Sequence, residues 1–301
     1  MEKIQIGTSN IAYRIIGKGK INIIIEGSIN SCNAEWWNFC EKLADKYTFL
    51  VYDRAGYGES SKSTLARTPE NIVSELESLI KSLNLDNQII LIGHSQGGLY
   101  AELFAIRNQS LVKGLLLLDP LSYKDSSFQE KLTADEYKKS GVDKSMSFKI
   151  GKAVTRFGLG FLFKGMLKKA PPFYYYHFSK ESEDYILKSL QKYSQYETAL
   201  NEYILSHNEG NLSSFINMKE KINIPVVLVT HSPQKMIAEI EYYGNTSNEL
   251  AKKVDDLWQH IMEQMMYLST NNKKVTAENN SHYIHLTDFD LVKEELEQLF
   301  I

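Results

Sequence analysis

Residues 89–98 read Ile89-Ile90-Leu91-Ile92-Gly93-His94-Ser95-Gln96-Gly97-Gly98, and this stretch decides the fold. Ile89 to Ile92 is a short continuous apolar run, the pattern of a strand buried on both faces. Leu99 to Ile106 follows as a helix, starting near Gly98. Between them stands Gly93-x-Ser95-x-Gly97. Such a match is common by chance, but between a buried strand and a helix it has a mechanical meaning. The glycines let the backbone turn sharply without side-chain collision and push the Ser95 hydroxyl out beyond the strand. The helix N-terminus behind it aims amide donors and a partial positive charge at developing negative charge. The bland reading, a glycine-rich turn with an N-capping serine, uses less of the pattern.

Working outward, the same alternation recurs. Ile4 to Ile6 and Ile11 to Ile16, separated by Gly7-Thr8-Ser9-Asn10, read as an opening hairpin. Ile21 to Glu26 is a buried strand ending at Gly27, Trp36 to Ala44 a helix, and Tyr47 to Tyr52 a strand. Thr68-Pro69 opens a helix to about Leu83, with threonine at N-cap and proline at N1. Leu115 to Leu118, Pro225 to Val229 and Lys274 to Ala277 are further strands. Helices over Leu250 to Leu268 and Asp288 to Phe300 complete the pattern. Strands alternating with helices predict an α/β fold with a mostly parallel sheet flanked by helices. Residues 121–221, rich in lysine and aromatics and helical in pattern, interrupt the rhythm. They are expected to form a helical cap inserted into a core built from residues 1–120 and 222–301.

Composition narrows the class. The 301 residues are 43% hydrophobic and 24% charged, with a net charge of −3. That is an ordinary globular composition without the basic field that nucleic acid requires, so no nucleic-acid partner is expected. Cys32 and Cys40 cannot build a disulfide framework and match no common zinc or redox spacing. The start of the chain lacks a signal core, and no run reaches the roughly 18 apolar residues of a membrane span. A cytoplasmic protein without stable membrane insertion is expected, acting on a small molecule. The seven histidines show no ligand spacing, so neither metal nor cofactor is implied. Oligomeric state is not legible.

A serine hydroxyl needs a base, and the base needs an orienting acid. In the fold that this strand–turn–helix motif belongs to, the chain order places the base last. Asn279-Asn280-Ser281-His282-Tyr283-Ile284-His285 follows the last strand, on the sheet edge that carries Ser95. His282 is the favoured base and His285 the competitor. Asp119, at the end of the strand Leu115 to Leu118, is the favoured acid, although Asp119-Pro120 also suits a turn. After the insertion, Thr230-His231-Ser232-Pro233 offers no carboxylate, which leaves Glu239 and Glu241 as alternatives. Asp255 and Asp256 read as solvated helix positions. The oxyanion would take the amide of Gln96 and a second one from Ser28 or Ile29. Gly151 to Tyr176, mixing apolar and basic residues, reads as a helix face covering the pocket, with lipid contact as the sharper alternative.

Glu26-Gly27, Trp36, Tyr52-Asp53-Arg54-Ala55-Gly56-Tyr57-Gly58-Glu59-Ser60, the Ser95 turn, Leu118-Asp119-Pro120 and Ser281-His282-Tyr283-Ile284-His285 together resemble the α/β-hydrolase superfamily. The resemblance spans both ends of the chain and omits mainly the insertion. It implies an α/β-hydrolase fold, the acid at Asp119, and a structural rather than catalytic Asp53-Arg54 turn. It also exposes a departure, since most relatives have His-Gly where this chain has Glu26-Gly27. The expected chemistry is hydrolysis of a carboxylic ester of a small or hydrophobic substrate by Ser95, His282 and Asp119 through an acyl-enzyme. An aminopeptidase-like or haloperoxidase-like enzyme, or a non-catalytic ligand-binding protein, would use the same fold.

Overall fold

In the computed structural model, which describes residues 1–218 and 221–301, eight strands form one sheet. They are β1 (Glu2–Ile6), β2 (Ser9–Ile16), β3 (Ile23–Glu26), β4 (Phe49–Tyr52), β5 (Ile89–His94), β6 (Val112–Leu118), β7 (Val226–His231) and β8 (Asn272–Ala277), in the order β1-β2-β4-β3-β5-β6-β7-β8. β1 and β2 pair antiparallel, as does β2 with β4, and every later pairing is parallel. The opening hairpin therefore forms an antiparallel edge, and the remaining strands all point their C-terminal ends to one side.

The strands alternate their apolar side chains between two cores, as the two-residue period requires. Ile24, Leu50, Leu91, Leu115 and Leu117 pack under the helices Pro69–Ser82 and Gln96–Arg107. Ile23, Ile25, Phe49, Val51, Ile90, Ile92, Leu116 and Leu118 pack under Trp37–Leu43 and Phe289–Gln298. Each such fully buried side chain contributes roughly 1.5–3 kcal/mol. The helix Pro69–Ser82 starts as its sequence dictates, the Thr68 hydroxyl accepting from the Asn71 amide and Pro69 at the first position, a cap worth about 1 kcal/mol. At the far edge, β8 turns Lys273 and Lys274 to solvent, which discourages pairing with another strand.

The central turn is tighter than the sequence suggests. β5 runs on through His94 and the helix begins at Gln96, so Ser95 alone makes the turn. Gly93, Gly97 and Gly98 lie inside regular structure, and close packing is what demands them. A Cβ on Gly93 would lie 2.6 Å from Gly98 Cα, and one on Gly97 would overlap the Glu26 and Gly27 carbonyls.

Between β6 and β7 the elements among the described residues are helices, among them Ser145–Arg156, Lys180–Ser189 and Tyr193–Ser206, apart from an isolated bridge of Ile222 to Ser269. Lys219 and Glu220, at the end of the expected insertion, lie outside the described residues. Two helices, Pro233–Gly244 and Asn248–Met266, join β7 to β8.

Candidate active site

Ser95 sits at φ 53° and ψ −126°, a backbone region that side-chain-bearing residues avoid and that costs about 1–3 kcal/mol. Neighbouring hydrogen bonds hold it there. Its amide donates to the Leu118 carbonyl at 3.1 Å, and its own carbonyl accepts from Leu121 at 2.8 Å and Gly98 at 2.9 Å. The strained residue is thus tied to the end of β6, where Asp119 follows.

Asp119 also has a positive φ of 43°, and its amide donates to the Val229 carbonyl at 2.8 Å. Its carboxylate is 1% exposed and receives three donors. His282 Nδ1 lies 2.6 Å from Oδ2. His231 Nδ1 lies 2.6 Å from Oδ1, and the His231 main-chain amide donates to the same oxygen at 3.2 Å. Burial alone would raise this carboxyl, but the two histidines outweigh it and hold it well below the usual carboxylate range. With Nδ1–H of His282 donating to Asp119, Nε2 is the free basic nitrogen. The His282 side chain is partly exposed.

His231 and Asp255 escaped the sequence reading. The tetrapeptide Thr230-His231-Ser232-Pro233 lacks a carboxylate, but its histidine donates to Asp119 from one ring nitrogen and to Asp255 from the other, at 2.8 Å. Asp255 is not solvated as expected; it is fully buried. The signal lay in the spacing, because Ala251, Val254, Asp255, Trp258 and Met262 share one face of the helix Asn248–Met266. An aspartate on an apolar stripe needs a buried partner. Burial lowers the His231 pKa, but Asp119 and Asp255 together push it up to about 9. His231 is therefore an imidazolium held between two carboxylates. Asp256 is exposed, in line with its sequence pattern.

Two other histidines shape the loop. Burial and the nearby His282 push His94 down to about 3, so its neutral ring donates from Nε2 to the His282 carbonyl at 2.9 Å. His285, the competing candidate, does not reach Asp119. It is buried and stacks on Trp36 with ring centroids 3.9 Å apart. Glu239 accepts from the Tyr175 hydroxyl, and neither it nor Glu241 bonds to His282 among the described residues.

The loop after β3 lies against the Ser95 turn, since the Glu26 and Gly27 carbonyls fill the space beside Gly97. Arg54 fixes this loop. Its Nη1 donates to the Gly27 carbonyl at 2.7 Å and its Nη2 to the Ser28 carbonyl at 3.0 Å. Because a peptide plane points its N–H opposite its C=O, the amides of Ser28 and Ile29 face away from the guanidinium. The arginine thus fixes the two peptide planes that carry the amides of Ser28 and Ile29. Arg54 is buried between Glu26 at 3.2 Å and Glu202 at 3.0 Å. Burial raises the Glu26 carboxyl to about 7 despite the arginine beside it. The Glu-Gly departure thus has a physical partner in Arg54.

Asp53 is a scaffold group. It accepts from the amides of Asn33 and Glu59 and from the Tyr185 hydroxyl. The helix Tyr193–Ser206 also reaches the turn itself, because the Gln96 side chain donates to Ser206 Oγ and to the Tyr100 hydroxyl, each at 2.7 Å.

A family model described as "alpha/beta hydrolase fold" matches residues 23–150. The chain has the α/β-hydrolase fold. Over nearly its whole length the chain superposes on solved structures of low sequence identity that share the fold. Epoxide hydrolase CorEH gives a TM-score of 0.67 at 17% identity, covering 99% of this chain and 97% of that one. A thermophilic esterase from Thermogutta terrifontis gives 0.66 at 18%, covering 100% of both. Among curated proteins, the uncharacterized protein YqjL of Bacillus subtilis is 31% identical over 130 residues, 43% of this chain and 51% of that one. The 2-hydroxy-6-oxo-6-(2'-aminophenyl)hexa-2,4-dienoic acid hydrolase of Metapseudomonas resinovorans is 27% identical over 117 residues, 38% of this chain and 40% of that one. The matched segments thus span about half or less of these curated relatives.

Proposed function

We propose that this protein is a hydrolase that cleaves a carboxylic ester through an acyl-enzyme, with Ser95 as nucleophile, His282 as general base and Asp119 as orienting acid. The observation that carries the reading is the 2.6 Å Asp119–His282 pair at the sheet edge of a strained, amide-backed serine. Ser95 Oγ attacks the ester carbonyl while His282 Nε2 takes its proton. The carbonyl oxygen becomes an oxyanion beside the amides of Gln96 and of Ser28 or Ile29. His282 then protonates the departing alkoxide, and water releases the acid by the same steps in reverse order. An acyl substrate suits this nucleophile better than an epoxide. Serine opening an epoxide would leave an ether, which water does not cleave under these conditions.

In this reading residues 121–221 form the cap. Support comes from the contacts of Tyr185, Glu202 and Ser206 with Asp53, Arg54 and Gln96, all at the C-terminal edge of the sheet. The test is hydrolysis of p-nitrophenyl esters from acetate to palmitate by wild type and Ser95→Ala, with fluorophosphonate labelling alongside. Turnover and labelling that both vanish in the variant are expected. A folded wild type that neither turns over any ester nor takes the label refutes the serine mechanism.

A further inference from the structure

The helix Ser145–Arg156 has two apolar faces. Its inner face, Phe148, Gly151 and Thr155, is buried, with Phe148 against the Tyr203 ring and Gly151 beneath Tyr196. The stripe expected to cover the pocket therefore divides. Met146, Ile150 and Phe157, spaced for one helical side, point outward, and Phe157 is 77% exposed. The next turns add to this surface. Gly160 is pressed against the Gln191 backbone, while Phe161, Leu162 and Met166 are each about 60% exposed. Monomeric soluble surfaces rarely leave so many large apolar side chains together without a partner.

The segment's own charges have one sign. Between Asp143 and Glu181 the sequence has eight lysines and arginines and no aspartate or glutamate, in a chain of net charge −3. Lys152, Lys168 and Lys180 pair with Glu197, Glu183 and Asp184. Lys149, Arg156, Lys164 and Lys169 form no ion pair among the described residues. A second copy of the chain fits poorly, because a self-paired face would set these cations against their own copies. Exposed aromatics and aliphatics ringed by unpaired cations match the headgroup region of an anionic bilayer. Among the described residues no helix is long and apolar enough to cross a membrane, and a peripheral contact is the one this surface fits.

We propose that residues 146–169 dock the protein on anionic phospholipid surfaces, with Phe157, Phe161 and Leu162 entering the headgroup layer. The experiment is cosedimentation of the full chain with vesicles of phosphatidylcholine alone or mixed with phosphatidylglycerol. Binding to the mixed vesicles that weakens with salt is expected. Lys164→Gln/Lys169→Gln should lower the partition coefficient about fivefold for each cation removed. Phe157→Ser/Phe161→Ser should lower it at least tenfold, and all these side chains are solvent-facing, so circular dichroism should be unchanged. The proposal fails if wild type does not bind the mixed vesicles, or binds both vesicle types equally. It also fails if both double variants bind as wild type does. Dimerisation abolished by the phenylalanine variant, without vesicle binding, would assign the face to a second copy instead.

Discussion

Asp255→Asn tests the buried chain of charges directly. In the native protein both ring N–H groups of His231 donate to carboxylates, at 2.6 and 2.8 Å, and all three groups are at most 1% exposed. The His231 pKa of about 9 stands above the ordinary value near 6.5, and at about 1.4 kcal/mol per tenfold this difference is worth roughly 3 kcal/mol. A histidine whose pKa is raised by folding contributes its full stabilisation below the unfolded value. The contribution is lost as pH rises through about 9. Asparagine retains an acceptor for Nε2 but removes one of the two charges. The variant should therefore lose about half of the contribution, roughly 1.5 kcal/mol near pH 6, and little above about pH 9.5. Urea unfolding of both proteins at the two pH values measures this, with the midpoint shifting and the slope unchanged. An equal loss at both pH values would mean that Asp255 acts by packing or hydrogen bonding alone. No loss at either would refute the imidazolium.

Asp119→Asn should reduce ester turnover by about 10⁴-fold through loss of the correct His282 tautomer, measured as kcat on a p-nitrophenyl ester; near-normal kcat would reject Asp119 as the acid. Ser95→Gly should abolish turnover yet unfold at a higher temperature than Ser95→Ala, by an equivalent of about 1–3 kcal/mol, because glycine adopts the strained angles freely. Glu202→Gln weakens the charge that Arg54 and Arg67 share. It should cost about 3 kcal/mol in denaturant unfolding and lower kcat more than it raises KM, since on the proposed mechanism Arg54 holds the loop that supplies the second oxyanion amide.

Whatever the local pattern dictates was legible. The apolar runs located β3, β5, β6 and β7, and Thr68-Pro69 marked a helix start to the residue. The turn at Ser95 was legible as a motif, though not as a single-residue turn, because the packing that forbids a Cβ on Gly97 involves Glu26, 71 residues away in the chain. Asp119 and His282 were accessible because both follow strands that end on one edge. His231 and Asp255 were not, because their partnership exists only after β7 lies beside β6 and the helix Asn248–Met266 folds back over it. A buried aspartate is indistinguishable from a solvated one until its helix face is assigned. Glu202 was hidden for the same reason, since its partner Arg54 lies 148 residues earlier.

The second histidine also explains why a second carboxylate is needed. On the proposed mechanism His282 becomes an imidazolium during attack, and a net negative charge behind it favours that step. Asp119 alone would supply this charge, but a lone buried carboxylate is costly, and His231 offsets that cost by donating twice to it. A cationic His231 paired only with Asp119 would bring the local charge to zero and leave His282 little to be drawn toward. Asp255 restores the deficit from the far side of His231, so the trio remains net negative while Asp119 stays fully bonded. The same division operates at the loop after β3. There Arg54 fixes the Gly27 and Ser28 carbonyls, while Glu26 and Glu202 absorb its charge. On the proposed mechanism each half of the site thus carries a buried cation, His231 or Arg54, balanced by a carboxylate that does not touch the reacting groups.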